Sequence, residues 1–254
     1  MNSLWIFPIA IGAGAFGSML GLGGGIILVP ALTVLMGVPI KQAVAASLVA
    51  VAATSCAGVQ TYLQAGLVDW RLGVRLLIPT LCGAIAGGLL VGYIPEEAVR
   101  WLFIALVLYV LGQMLGSMRR PTIPQAERPN CRTQWDPRQR RIAVSLSALA
   151  GAISALLGVG GGLIQVPLMH TILKTPLRCA IGTSTFLIGA TASASALLYL
   201  VQGKLPVDYV VPSTLGIVIG ARLGVKFAQR IPTLALRLIF VGVMLYTVVR
   251  LALR

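Results

Sequence analysis

An internal repeat is the feature that most constrains this chain, because the sequence matches itself when it is shifted by 137 residues. Residues 14–30 read GAFGSMLGLGGGIILVP and residues 151–167 read GAISALLGVGGGLIQVP, with ten of the seventeen positions identical. Further pairs match at the same offset: Pro39 with Pro176, Ser47 with Ser184, Thr54 with Thr191, Gly66 with Gly203, Pro95 with Pro232 and Tyr109 with Tyr246. Between about 70 and 92 the match slips by four residues, which aligns Gly83 with Gly216. The chain is therefore a tandem duplication.

Each half contains four apolar segments, and an arginine-rich linker joins the halves. We predict a first repeat over 1–118, a linker over 119–141 and a second repeat over 142–254. The apolar segments lie at 5–37, 42–64, 73–93 and 98–118 in the first repeat, and at 142–173, 179–201, 208–228 and 233–252 in the second.

The composition of these segments favours a lipid environment. Hydrophobic residues make up 57% of the 254 positions and charged residues 10%, whereas soluble domains carry about 25% charged residues. A helix needs roughly 20 apolar residues to cross the hydrocarbon core, and the segments are of that length or longer. Because the apolar runs are continuous and do not alternate, they predict helices rather than barrel strands. We therefore expect an all-α polytopic membrane protein.

The first segment of each repeat is too long for one ordinary crossing, and it carries three consecutive glycines near its middle. Consecutive glycines disfavour a continuous helix, so we predict two half-length helices joined by a glycine loop. Such a loop is tolerated at membrane depth only where protein buries it or where it lines a cavity. The segment is then either one broken crossing or a re-entrant hairpin that returns to its starting side.

The basic residues favour the hairpin, because Lys and Arg concentrate on the cytoplasmic side of a membrane protein. With eight simple crossings the richer side holds 12 of the 20 basic residues, and with two hairpins it holds 15. Each repeat is then a broken, re-entrant hairpin plus three transmembrane helices, and the two repeats have inverted topology. This arrangement places the linker in the cytoplasm and both termini outside, in the cell inner membrane.

The net charge of +14 does not indicate nucleic-acid binding, because the basic residues lie between apolar runs. Seven arginines lie within 119–141, where a topogenic role is typical. The four cysteines show no CxxC spacing. We expect neither a zinc site nor a disulfide among them, but small buried apolar side chains and one loop thiol.

The glycine loops are the strongest candidates for a binding site. Broken helices in inverted repeats commonly hold substrate near the membrane midplane, and backbone N–H groups at a helix N-terminus favour an anion. Polar side chains follow on the next segment of each repeat. The predicted substrate-binding residues are Gly23, Gly24, Gly25, Ser47, Thr54, Gly160, Gly161, Gly162, Gln165, Thr183 and Ser184. Alternatively, the glycines only permit close packing and the hydroxyls only bond neighbouring carbonyls.

The acidic residues are absent from the middle of every segment. They are Asp69, Glu96, Glu97, Glu127, Asp136 and Asp208, all in or beside predicted loops. Cation pathways and proton relays usually need an intramembrane carboxylate, so we expect an anionic or neutral substrate. No GxSxG, HExxH or GxxxxGK[ST] motif occurs. We therefore expect no enzyme activity, no catalytic residue, no metal ion and no cofactor.

The doubled motif resembles the sulfite exporter family TauE/SafE. GLGGG…VP and GVGGG…VP each open a repeat and are followed by Pro-x-x-x-Ala and a helix that bears Ser and Thr. The resemblance covers nearly the whole chain, although the arginine-rich linker matches no motif. It implies a secondary transporter, typically an exporter, of small sulfur-containing anions such as sulfite, sulfoacetate and other organosulfonates.

Several functions stay open on the sequence alone. The first is transport of sulfite or an organosulfonate, and the others are transport of another small anion, a non-selective channel and a non-transporting membrane scaffold subunit. The expected partners are a small anionic substrate and the lipid bilayer. The sequence leaves open the anion, the coupling ion, the direction of transport and the oligomeric state, a homodimer included.

Overall fold

The computed structural model describes residues 6–19, 24–118, 131, 136–228 and 233–253. The helices of the first repeat are α1 Ile6–Met19, α2 Gly25–Pro30, α3 Ile40–Gln64, α4 Trp70–Leu90 and α5 Glu96–Met118. Those of the second repeat are α6 Pro137–Leu157, α7 Gly162–Pro167, α8 Leu177–Val201, α9 Val207–Ala228 and α10 Thr233–Ala252. Within the described residues no strand occurs, and α3, α4, α6 and α8 are long and apolar enough to cross a membrane. The prediction of an all-α fold is confirmed for the described residues, and these four helices fit the predicted membrane location by length and composition.

The duplication is visible in the local geometry of the helices. A π-helical turn follows α2 at Ala31–Leu35, and another follows α7 at Leu168–Ile172. Each turn comes directly after a proline, Pro30 or Pro167. Proline donates no backbone hydrogen bond and clashes with the carbonyl four residues earlier, which accounts for the wider turn. The equivalent elements from α2 to α3 and from α7 to α8 are related by the same 137 residues.

The chain breaks between α1 and α2 and again between α6 and α7, as the glycines predicted. Gly24 and Gly161 precede α2 and α7 with φ of 78° and 63°, a region that glycine adopts without steric cost. A Cβ built on Gly24 would lie 3.4 Å from the carbonyl oxygen of Ala13, and one on Gly161 would lie 3.3 Å from that of Ala150. The chain therefore folds back beside the preceding helix after each break.

The second hairpin does not begin with a half-length helix. α6 has 21 residues, so the prediction of two half-length helices is wrong for 142–173. The helix starts at Pro137, five residues before the predicted segment. Asp136 and Gln139 form a capping box, and Pro137 stands in the first turn. Both features stabilise a helix start at this point.

The two repeats pack into each other. α1 packs on α9 and α4 packs on α6, so the first helix of each repeat contacts the fourth helix of the other. α3 packs on α8 between these pairs. A Cβ built on Gly58 would lie 3.4 Å from Thr185, and one on Gly189 would lie 3.4 Å from Ser55. The equivalent helices α3 and α8 therefore run antiparallel.

Glycines bring the paired helices into backbone contact. A Cβ built on Gly83 would meet the carbonyl oxygen of Ala148, and one on Gly220 would meet that of Ile11. These contacts are related by 137 residues, so Gly83 corresponds to Gly220. The four-residue slip, which aligned Gly83 with Gly216, is therefore wrong in the fold. The slip arose because glycines recur every four residues in both α4 and α9, so an alignment shifted by one helical turn still pairs glycine with glycine.

Two cysteines form a disulfide, which corrects the prediction of none. Cys131 and Cys179 are bonded, with Cα atoms 5.6 Å apart and a sequence separation of 48. The spacing of the cysteines in the sequence does not predict this pair, because only the fold brings Cys131 to the start of α8. Cys56 and Cys82 are free and exposed, so the expectation of buried thiols is also wrong for these two.

Candidate functional site

The two glycine breaks meet beside helices α3 and α8. A Cβ built on Gly25 would lie 2.7 Å from the carbonyl oxygen of Gly158 and 2.7 Å from Val51. One built on Gly160 would lie 2.8 Å from Val51 and 2.9 Å from Ile188. Val51 on α3 and Ile188 on α8 are equivalent positions of the two repeats. The breaks therefore converge on the antiparallel α3–α8 pair, where only glycine leaves room for the backbone to approach.

The predicted residues of the first repeat make hydrogen bonds to main-chain carbonyls. Ser47 is fully buried, and its Oγ donates to the carbonyl of Gly158 at 2.7 Å. The Oγ1 of Thr54 donates to carbonyls of its own helix, those of Ala50 and Val51. Gly24 and Gly25 are buried at the start of α2, and Gly23 lies outside the described residues. Ser47 thus joins the two repeats at the break.

The predicted residues of the second repeat include polar groups without partners. Ser184 is 1% exposed and lies 3.3 Å from a Cβ built on Gly162, and its Oγ has no hydrogen-bond partner. Gln165 on α7 is fully buried. Its Nε2 donates to the Oγ1 of Thr80 at 3.4 Å, while its Oε1 has no partner. The structure therefore brings Gln165, Ser184 and the glycines 160–162 to one region.

Thr183 is the predicted residue that lies elsewhere. Its Oγ1 accepts a hydrogen bond from the backbone N–H of Asp69 at 2.9 Å. Asp69 lies in the turn between α3 and α4, and its carboxylate also accepts from the N–H of Leu72. Thr183 therefore ties the start of α8 to that turn and does not face the break. Its neighbour Ser184 points to a different side of the same helix.

Three buried polar residues on the helices that pack around the second break were missed. Thr80 on α4 and Ser147 and Ser154 on α6 are at most 1% exposed. The Oγ of Ser154 lies 3.6 Å from a Cβ built on Gly161, and neither serine hydroxyl has a partner. The two serines are seven residues apart, which puts them on one helix face. That spacing within an apolar segment is the signal that could have found them.

The charged groups stay away from this region. Within the described residues, the acidic side chains stand at helix starts: Asp69, Glu96, Glu97, Asp136 and Asp208. Glu127 lies outside the described residues. Arg222 is exposed on α9. No described Lys or Arg is buried as a whole, although Nε of half-buried Arg100 on α5 is enclosed. No cluster of His, Cys, Asp and Glu in the described part of the chain could hold a metal ion.

Comparison with known proteins relates the chain to membrane transporters. The family described as Sulfite exporter TauE/SafE matches residues 6–251. The Probable membrane transporter protein YunE of Bacillus subtilis (strain 168) is 25% identical and covers 92% of this chain and 91% of its own length. A Probable membrane transporter protein of Xylella fastidiosa (strain 9a5c) is 28% identical over 95% of both chains. No solved structure matches the chain.

Proposed function

We propose that this chain, which belongs to the sulfite exporter TauE/SafE family of membrane transporters, exports small sulfur-containing anions such as sulfite or an organosulfonate. The observation that carries the proposal is the meeting of two glycine breaks beside buried hydrogen-bonding groups without charge. The transport is secondary, and its substrate binds at the breaks. The relatives are named as membrane transporters, so the substrate is the part of this proposal that goes beyond them.

The chemistry of the breaks favours an anion over a cation. Gln165 can donate through its amide, and Ser184 can donate through its hydroxyl. A cation would need carboxylates or converging carbonyls, and the described acidic residues lie at helix starts away from the break.

We further propose that the two repeats have inverted topology in the cell inner membrane, with re-entrant hairpins and a cytoplasmic linker. The antiparallel course of α3 and α8 supports this arrangement. Two contacts at opposite ends of α8 support it as well, because they show that α8 runs parallel to α4. Near its start Thr183 bonds Asp69 beside α4, and just past its end Gln202 donates to the carbonyl of Gly88 at the other end of α4. In this arrangement 15 of the 20 basic residues share the cytoplasmic side.

A panel of anions added to the purified full-length chain tests the substrate. Sulfite, sulfoacetate and methanesulfonate are compared with chloride and with taurine, a zwitterion. A ligand at 100 times its Kd stabilises the folded state by about 2.7 kcal/mol, which raises Tm by roughly 5–11 °C for a chain of this size. We expect such a rise with at least one sulfur anion and none with taurine. A rise with chloride alone, or with nothing in the panel, would refute the proposed substrate class.

Sulfite can also cleave disulfides, so one control is needed. The Cys131→Ser variant lacks the disulfide to Cys179. A sulfite effect that persists in this variant reports binding at the site. An effect that disappears with the disulfide reports that chemical reaction instead and counts against sulfite as a ligand.

A further inference from the structure

The two breaks of the duplicated chain differ in their polar lining. Four buried atoms on α6, α7 and α8 have no hydrogen-bond partner. Oε1 of Gln165 and the Oγ atoms of Ser154 and Ser184 lie around the second break, and the Oγ of Ser147 lies two turns before Ser154 on α6. All four residues are at most 1% exposed. A buried polar atom without a partner costs about 1–3 kcal/mol. Several of them in one region call for an explanation, such as a bound ion or ligand.

The equivalent positions of the first break cannot make these hydrogen bonds. Their counterparts at an offset of 137 are apolar or lack a side chain: Leu28 for Gln165, Ala10 for Ser147, Gly17 for Ser154 and Ile217 for Thr80. Leu28, Ala10 and Ile217 are fully buried. Only Ser184 has a polar counterpart, Ser47, and that hydroxyl is already bonded to the carbonyl of Gly158. The counterparts at the first break are therefore apolar or already bonded, although Ser213 and Thr214 on α9, within one turn of Ile217, also have buried hydroxyls without a partner.

We propose that the chain holds a single site for a small monoanion, built around Gln165 at the second break, and that the first break serves packing alone. This inference rests on the proposed transport function and adds the number, the place and the charge of the bound substrate. Gln165 contributes the second N–H of its Nε2, since the first donates to Thr80, and its Oε1 is an acceptor that does not bind the anion. Ser154 and Ser184 contribute hydroxyls on either side of the glycines.

No Lys or Arg is among the described side chains placed at the second break, which sets the charge of the ligand. Uncharged donors can hold one negative charge, as in hydrogensulfite or the sulfonate group of an alkylsulfonate. A second buried charge without a counter-charge costs several kcal/mol. The site therefore prefers hydrogensulfite over the sulfite dianion and rejects sulfate.

Titration calorimetry on the purified full chain in chloride-free buffer tests the stoichiometry and the charge. We expect one methanesulfonate per chain, with an affinity that does not change between acidic and alkaline pH. Sulfite should bind at acidic pH and weaken as the dianion replaces hydrogensulfite, and sulfate should not bind. Two anions per chain, or sulfate binding as tight as methanesulfonate, would overturn the proposal.

Reciprocal substitutions between the two breaks test the location of the binding site. Gln165→Leu gives the second break the side chain of the first, and Leu28→Gln does the reverse. We expect Gln165→Leu to weaken methanesulfonate binding about tenfold or more, the loss of a hydrogen bond to a charged group, and Leu28→Gln to add no second site. Ser154→Ala should also weaken binding. Its matched control on α6 is Ser145→Ala, because exposed Ser145 bonds only carbonyls of its own helix.

The outcomes separate this inference from the proposed function. If the wild type binds a sulfur anion but Gln165→Leu and Ser154→Ala bind it equally well, the site is refuted and the function stands. If the wild type binds only another monoanion and both variants lose it, the site stands and the sulfur substrate is refuted. If Gln165→Leu melts higher than wild type with unchanged affinity, water satisfies these groups and the site is refuted. Ser154→Ala decides the matter where Gln165→Leu fails to fold.

Discussion

Replacing Gly87 with alanine tests the packing of α4 on α6. A Cβ built on Gly87 lies 2.5 Å from the carbonyl oxygen of Ala152, whereas ordinary van der Waals contact begins at 3.4 Å. The helices must therefore separate by about 0.9 Å to admit the methyl group. No rotamer change relieves the clash, because both atoms are fixed to the backbone.

The expected loss of stability follows from two opposing terms. Overpacking costs about 1–3 kcal/mol, and alanine recovers up to about 1 kcal/mol through its helix propensity. We expect a net loss of roughly 1–2 kcal/mol, which lowers Tm by about 2–8 °C in a chain of this size.

Thermal melting of the purified protein in detergent measures this effect, with Gly112→Ala as the matched control. A Cβ at Gly112 on α5 has no atom within 4 Å, so that variant should melt at or slightly above the wild type. Gly216→Ala on α9 should be destabilised like Gly87→Ala, because its Cβ would lie 2.7 Å from the carbonyl oxygen of Phe7. If Gly87→Ala melts as high as Gly112→Ala, α4 and α6 are not in backbone contact and the packing account fails.

Two further predictions concern single contacts. Ser47→Ala should lower the free energy of unfolding by about 0.6 kcal/mol, and at most about 1.7, because the hydrogen bond to Gly158 is removed. Ser184→Ala should cause no such loss, because its hydroxyl has no partner. Equal Tm values for the two variants would contradict this difference. With the two free cysteines replaced by serine, a membrane-permeant maleimide should label Cys131 in intact cells, because disulfides are rare in the cytosol, while protein purified without reductant should contain the disulfide. Protection of Cys131 from the maleimide in intact cells would contradict a cytoplasmic linker.

Helix positions could be predicted closely from the lengths of the apolar runs. The segment 42–64 became α3 at Ile40–Gln64, and 233–252 became α10 at Thr233–Ala252. Starts were less accurate where a cap decides them, as at Asp136, whose capping box extends α6 back to Pro137. The apolar pattern reports burial in lipid, and it says little about which polar residue begins the helix.

The candidate site could be predicted only in part. The duplicated glycines indicated that both breaks matter, and the fold brings them together. Thr183 and Ser184 looked alike in the sequence, yet Thr183 bonds Asp69 and only Ser184 lies beside Gly162. Thr80 reaches Gln165 across 85 residues, and such a contact depends on how α4 packs against the second repeat. Local spacing carries no information about that packing.

Counterflow in liposomes tests the central claim, that the chain carries a sulfur anion by an alternating mechanism. Liposomes that contain the purified full chain are loaded with unlabelled sulfite and diluted into a trace of radiolabelled sulfite. We predict a transient accumulation of label above its external concentration, which is absent without protein and reduced in Gln165→Leu. Equilibration without accumulation would indicate a channel, and uptake no greater than that of protein-free liposomes would contradict the account.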